Sequence, residues 1–207
     1  MNIMKIRFLQ DETIKLLNKR DEFIYDNKYT LSNIHCCLII LIKNNIDQKQ
    51  DITQYQNDLN LLDGFKSFLS LNNTCPPLVM DMDKLEHSVS SAERRNANKS
   101  LDYCFVVNDT SKNKLFSLIG DFKFNRQNIT QPYKDLEKKT TCSEIFVKKF
   151  EYPIYEKVYI VYPSSIFEEL RHNLNRRRNE EENRSKLERF EFISLSQFLK
   201  IFGYEHY

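Results

Sequence analysis

The sequence predicts an α/β fold, with a mixed β-sheet built on a central hairpin and helices around it. Three observations lead there. Leu101–Asn108 and Leu115–Phe124 are runs rich in aromatic and β-branched residues, with a polar, turn-like segment Asp109–Lys114 between them. Asp51–Leu71 carries Leu59, Leu61, Leu62, Phe65, Phe68 and Leu69 at helical spacing, with Gly64 inside the stripe. Tyr155–Tyr162 is a further strand-like run.

Taken in order, Met1–Leu9 alternates weakly and fits a strand or a helix start. Asp11–Tyr25 has apolar residues at Ile14, Leu16, Leu17, Phe23 and Ile24 and reads as an amphipathic helix. Thr30–Lys43 opens on Thr30 or Ser32 as an N-cap and becomes nearly all apolar; it reads as a buried helix, with a strand as the alternative. The Asp51–Leu71 helix ends before Asn72–Pro77, where Pro76-Pro77 breaks structure. Leu78–Met80 is a short strand and Met82–Ser100 is polar and helix-compatible. After the hairpin, Pro132 suits a helix start that continues through Tyr133–Lys139. Ser164–Arg189 is a charged helix with Ile166, Phe167, Leu170 and Leu174 on one face. The tail Phe192–Tyr204 is apolar enough to dock on the core. The chain thus reads as a single domain over 1–207, with a mainly helical part at 1–72, an α/β core at 73–163 and C-terminal helices at 164–207.

Composition narrows the function classes. With 207 residues, 41% hydrophobic and 29% charged, the chain can bury a sizeable core. A net charge of +2 is no polycation, so any nucleic-acid contact must come from local patches. Three glycines are too few for a Walker A loop or a dinucleotide fingerprint. Five cysteines without a Cys-x-x-Cys pair suit buried free thiols in a reducing compartment, hence a cytoplasmic location. His35, Cys36 and Cys37 lack zinc-ligand spacing. No signal peptide or membrane span is visible. The four histidines are scattered without a Ser or Cys partner signature, so a nucleophilic triad is unsupported.

The chemistry concentrates in the hairpin. If Asn108 faces Leu115 across the turn, Asp102 faces Asp121, and Asp102, Asp121 and Lys123 share one face. Directly opposed side chains lie about 5 Å apart. At an effective dielectric near 20, two carboxylates there repel by roughly 3–4 kcal/mol before screening. Such a pair calls for a cation. Lys123 is one; Mg²⁺ or Mn²⁺, bound through oxygen, is the other.

Asp102 at the start of one strand and Asp121-Phe122-Lys123 at the end of the next resemble the PD-(D/E)xK nuclease superfamily. The resemblance covers about the middle third of the chain. Other Asp/Glu-x-Lys tripeptides, Asp26-Asn27-Lys28, Asp47-Gln48-Lys49 and Glu137-Lys138-Lys139, lie in polar surroundings. The proline that usually precedes the first Asp is replaced by Leu101, a change without chemical consequence. The resemblance implies a restriction-endonuclease-like core with helical N- and C-terminal additions, and a metal-dependent nuclease. Asp102, Asp121 and the Phe122 carbonyl would hold Mg²⁺ or Mn²⁺, and Lys123 would orient the attacking water. Glu93 would be the third acid, with Asp81, Asp83 or Glu86 as alternatives. Arg94, Arg95 and Lys99 before the hairpin, and Arg126 and Gln127 after it, would line a nucleic-acid rim. DNA is expected ahead of RNA, alongside a protein partner or a homodimer. The mixed run Arg176-Arg177-Arg178 and Glu180-Glu181-Glu182 reads as a solvated helix. The competing reading is a non-enzymatic interaction protein, of binding or immunity type, in which Lys123 merely neutralises the two aspartates.

Overall fold

The structure is a computed structural model, which describes residues 6–8, 35–47, 53–73, 76–124, 135–148, 152–179 and 187–204. It is mixed α/β. The chain packs as two compact units, each discontinuous in sequence. The first comprises Met1–Leu38, Pro77–Gly120 and Tyr133–Tyr155; the second comprises Ile39–Pro76, Asp121–Pro132 and Glu156–Tyr207.

The first unit is organised on the hairpin of β4 (Tyr103–Asp109) and β5 (Lys114–Phe122). Its antiparallel ladder runs from Asp109↔Lys114 through Asn108↔Leu115 to Tyr103↔Gly120, the register that the turn chemistry predicts. Asp109 closes the turn. Its carboxylate accepts the backbone N–H of Ser111 at 3.0 Å and of Lys112 at 3.3 Å, an Asx-type arrangement. Asn113 takes a left-handed φ of 47°, which asparagine tolerates better than most residues.

The other edge of β4 is shared by two strands. Strand β3 (Leu78–Asp81) pairs antiparallel with Tyr103 and Cys104, and β1 (Ile6–Phe8) with Val107–Asp109. Strand β2 (His35–Cys37) continues the sheet beyond β3. Phe105, Val106 and Val107 are all fully buried, so β4 is covered on both faces. That is why it reads as a continuous apolar run rather than an alternation. Each such side chain contributes about 1.5–3 kcal/mol on burial. Burial also pushes the Cys104 thiol up to about 12, which makes it an inert core residue.

The same unit holds two helices, α3 (Met82–Ala92) and α4 (Leu136–Val147). Asp81 caps α3 by accepting the Lys84 N–H at 3.0 Å.

The second unit holds α1 (Leu38–Asp47, all but its first residue), α2 (Gln56–Leu71), β6 (Val158–Tyr162), α5 (Ser164–Asn179), β7 (Phe190–Ser194) and α6 (Leu195–Leu199). Strands β6 and β7 pair in parallel, Val158↔Phe190 to Tyr162↔Ser194. Buried Asp58 on α2 accepts the N–H of Ser164 at 2.9 Å and so caps α5 from a distance in sequence. Ser194 and Gln197 form a capping box at the start of α6. Gly64 leaves room on α2 for the hydroxyl of Tyr204, whose ring packs on Phe65 and Phe68.

Two sequence expectations need correction. The apolar run around Cys36 is not one helix: His35–Cys37 is a strand on β3, and the helix starts at Leu38. The C-terminal part is not all helical either, because Phe190–Ser194 pairs with β6 as a strand. Thr30, Ser32 and the helix expected over Asp11–Tyr25 lie outside the described residues.

Candidate active site

Asp102 immediately precedes Tyr103, the last β4 residue of the ladder, and Asp121 immediately follows its partner Gly120. The two candidate carboxylates therefore enter the chain at the same end of the hairpin. Asp102 belongs to the first unit and Asp121 to the second.

In the first unit, three main-chain bonds fix the approach to Asp102. Its N–H donates to the Gly120 carbonyl at 3.0 Å, and its carbonyl accepts the Met82 N–H at 3.1 Å. One residue earlier, the Leu101 N–H donates to Ser143 Oγ on α4 at 2.9 Å. The Asp102 side chain is only 13% exposed, and Lys139 Nζ lies 3.9 Å from its Oδ1. Lys99 reaches the same helix end, 2.7 Å from Asp135 Oδ2, in an exposed pair. Asp135, Lys139 and Ser143 are four residues apart, one stripe along α4 that meets Lys99, Asp102 and Leu101.

Lys139 is the site residue that sequence reading missed. It belongs to Glu137-Lys138-Lys139, one of the tripeptides set aside for its polar surroundings. The Asp135, Lys139, Ser143 spacing was visible, but nothing local says that this stripe meets the hairpin.

The loop between α3 and Asp102 is closed by Glu86 and Arg95. Glu86 is buried, and its Oε1 accepts Arg95 Nη1 at 2.5 Å and the Asn98 N–H at 2.6 Å. Arg95 also donates from Nε to Glu93 Oε2 at 2.5 Å. These carboxylates, Glu86 first, hold the guanidinium charged well beyond its ordinary range. Arg95 is thus committed to holding the loop. Arg94 beside it takes a left-handed φ of 52°, uncommon for a residue with a Cβ, and makes no side-chain bond among the described residues. Glu93 is 56% exposed on Arg95, and Asp83 accepts the Ser100 hydroxyl. Asp81 is the α3 cap and also pairs with Lys84 at 3.1 Å.

In the second unit, Asp121 is fully buried and its carboxylate forms an ion pair with the Lys123 ammonium. Their spacing of two residues puts both side chains on one face of an extended chain. The Lys123 N–H donates to the Val161 carbonyl at 2.8 Å, and Tyr55 donates its hydroxyl to the Phe124 carbonyl. Phe122 packs edge-on against Phe198 with ring centroids 5.9 Å apart. The backbone that carries Asp121 and Lys123 is therefore held from several sides. Arg126 and Gln127 lie outside the described residues.

The donor chemistry suits a hard divalent cation. Asp102 in the first unit, and Asp121 and the Phe122 carbonyl in the second, each offer oxygen of the kind that such cations take. Among the described residues, no three His, Cys, Asp or Glu side chains form a group fit to hold a metal. Also among the described residues, no helix is long and apolar enough to cross a membrane. Comparison with protein-family models, curated proteins and solved structures finds no match for this chain.

Proposed function

We propose that this chain is a metal-dependent nuclease of the PD-(D/E)xK type, hydrolysing phosphodiester bonds in nucleic acid, DNA ahead of RNA, in the cytoplasm. The observation that carries the reading is the hairpin register. The ladder pairs Asn108 with Leu115 and ends on Tyr103↔Gly120, so Asp102 and Asp121 are the residues next in sequence to its last rung, with Lys123 two residues further on. Mg²⁺ or Mn²⁺, when bound, supplies Lewis acidity and an activated water. Asp102, Asp121 and the Phe122 carbonyl are the groups that would hold it.

The chain's own residues do the rest. Lys123 brings a positive charge next to Asp121, suited to orienting a water and offsetting phosphate charge. Arg94 and Lys99 are cations of the approach loop, and the Glu86–Arg95 pair holds that loop in shape. Contacts from such residues to phosphates position a nucleic acid without reading its sequence.

A second reading has its own observation. Asp102 and Asp121 each have an ammonium neighbour, Lys139 and Lys123. Charge-balanced pairs of this kind also suit a non-enzymatic interaction protein. Incubation of the purified chain with plasmid and with RNA, with Mg²⁺ or Mn²⁺ and with chelator, separates the two. Metal-dependent degradation that is lost in Asp121→Asn supports the nuclease. An inert protein under all metal conditions leaves the interaction reading standing.

A further inference from the structure

We propose that the tip of the β4–β5 hairpin is a phosphate-contact surface for nucleic acid, with Lys112 and Lys114 as the contacting cations and Phe116 as the residue that positions them. The inference rests on nucleic acid being the ligand, as in the nuclease reading, and extends it to the end of the hairpin away from Asp102.

The surface lies wholly within the first unit. Lys112 Nζ stands over the Phe116 ring, 5.7 Å from its centroid, and 5.8 Å from the centroid of Tyr155. Lys114 Nζ stands 5.7 Å from the same Phe116 centroid. Both lysines are exposed, Phe116 is half-buried and Tyr155 is fully buried. The rings are fixed from behind. Phe116 meets Tyr155 edge-on with centroids 5.4 Å apart. The next residue, Ser117, donates its N–H to the Pro153 carbonyl at 2.8 Å and accepts the Tyr155 N–H at 2.9 Å.

Charge and order together point to the ligand. Two ammoniums gathered on one ring are like charges at short range, and the ring's quadrupole offsets their repulsion only in part. The acid of the turn, Asp109, is fully buried. Its Oδ1 accepts from Ser111 and Lys112, and its Oδ2 lies 3.6 Å from Lys112 Nζ. Lys114 has no carboxylate partner among the described residues. Two cations and one acid leave the tip with excess positive charge. A phosphate complements it, since its oxygens accept from both ammoniums, and nucleic acid presents phosphates in a row. Resting the lysine stems on a fixed ring lowers the entropy they lose on binding. The ladder of seven pairs puts the tip about 20 Å from the Asp102 end. A strand can reach it where a mononucleotide at Asp102 does not.

The test is the anisotropy of a fluorescent oligothymidylate with the full chain in EDTA, over a range of salt concentrations. The double variant Lys112→Gln, Lys114→Gln should weaken binding about tenfold and lessen the salt slope by about 1.4, the loss of two phosphate contacts on a single strand. Lys112→Arg with Lys114→Arg should keep the wild-type slope. Phe116→Leu keeps both charges but loosens them; it should weaken binding with the slope nearly unchanged, and Phe116→Tyr, which keeps a ring, should bind like wild type. Thermal melts establish that each variant folds, and the lysine variants carry the test if Phe116→Leu does not. Wild-type affinity and slope in the Gln variant, even with a lowered Tm, overturns the role of the tip and leaves the nuclease reading to its cleavage assay. No oligonucleotide binding by wild type overturns both.

Discussion

Ser143 Oγ accepts the backbone N–H of Leu101 at 2.9 Å, and this one bond sets α4 against the start of β4. Both residues are buried, so the N–H has no water to fall back on. Ser143→Ala should cost about 1–3 kcal/mol, the penalty for leaving a buried donor unsatisfied. Chemical denaturation reads this as a lower midpoint with an unchanged m-value. A neutral Ser143→Ala would mean that α4 is held there by apolar packing alone.

Asp121→Asn separates metal binding from stability. Sequence reasoning alone treats Asp121 as strained against Asp102, so that its neutralisation should leave the metal-free protein as stable or more so. The Lys123 partner changes that expectation. Lys123 is 8% exposed, and loss of its carboxylate leaves a nearly buried ammonium uncompensated. The metal-free protein should lose on the order of 3 kcal/mol in either functional reading. The discriminating quantity is the rise in Tm on adding Mg²⁺ or Mn²⁺. It should be present in wild type and absent in the variant if the nuclease reading holds. Thermal melts with and without metal decide it.

Arg94 and Arg95 are neighbours with different duties. Arg94→Ala should weaken nucleic-acid binding across sequences and reduce the salt slope by about one, as for the loss of one phosphate contact. Its folding stability should barely change. Arg95→Ala leaves the buried Glu86 carboxylate without its guanidinium and should lower Tm by several degrees. Salt titrations of binding together with thermal melts would show whether the effects divide this way. A flattened slope with undiminished Tm in Arg95→Ala would contradict the assignment.

Two buried aspartates should respond to acid in opposite directions. Burial is the main influence on Asp58 and pushes its carboxyl above 3.8, with the Ser164 N–H partly opposing it. The folded chain then keeps a proton that the unfolded chain has lost. Stability from this group therefore falls as pH rises from 3.8 through the folded value. The Ser111 hydroxyl is the main influence on Asp109 and, with nearby N–H groups, holds its carboxyl below 3.8. Its contribution is fully present above 3.8 and is lost as pH falls through the folded value. Urea midpoints from neutral to acid pH should show a shallower acid loss in Asp109→Asn and a steeper one in Asp58→Asn, each relative to wild type. Parallel curves for all three proteins would contradict both shifts.

The hairpin was legible from sequence because everything that defines it is local. Two apolar runs, a polar turn containing Asp109 and Asn113, and a side-chain period of two fix Asn108 opposite Leu115 without reference to the rest of the chain. The α2 stripe was legible for the same reason, through its 3.6-residue period. The run around Cys36 was not, since a segment that is apolar all round has no period to choose between helix and strand; pairing with β3 chose strand for His35–Cys37. Phe190–Ser194 became a strand through parallel pairing with β6, whose partner residues lie about thirty positions upstream, across α5. The side chains of Asp121 and Lys123 could be placed together because two residues of extended chain always share a face. Lys139 could not be placed at Asp102. The spacing along α4 is local, but where that stripe lands depends on how a helix packs against a hairpin thirty-odd residues upstream. Glu86 and Arg95 were set together by the fold of the loop between them, where the guanidinium meets a buried carboxylate. Local dihedral and periodicity preferences thus determined the hairpin, the α2 stripe and the Asp121–Lys123 pair, while contacts between distant segments decided the strands at His35–Cys37 and Phe190–Ser194 and the ammonium beside Asp102.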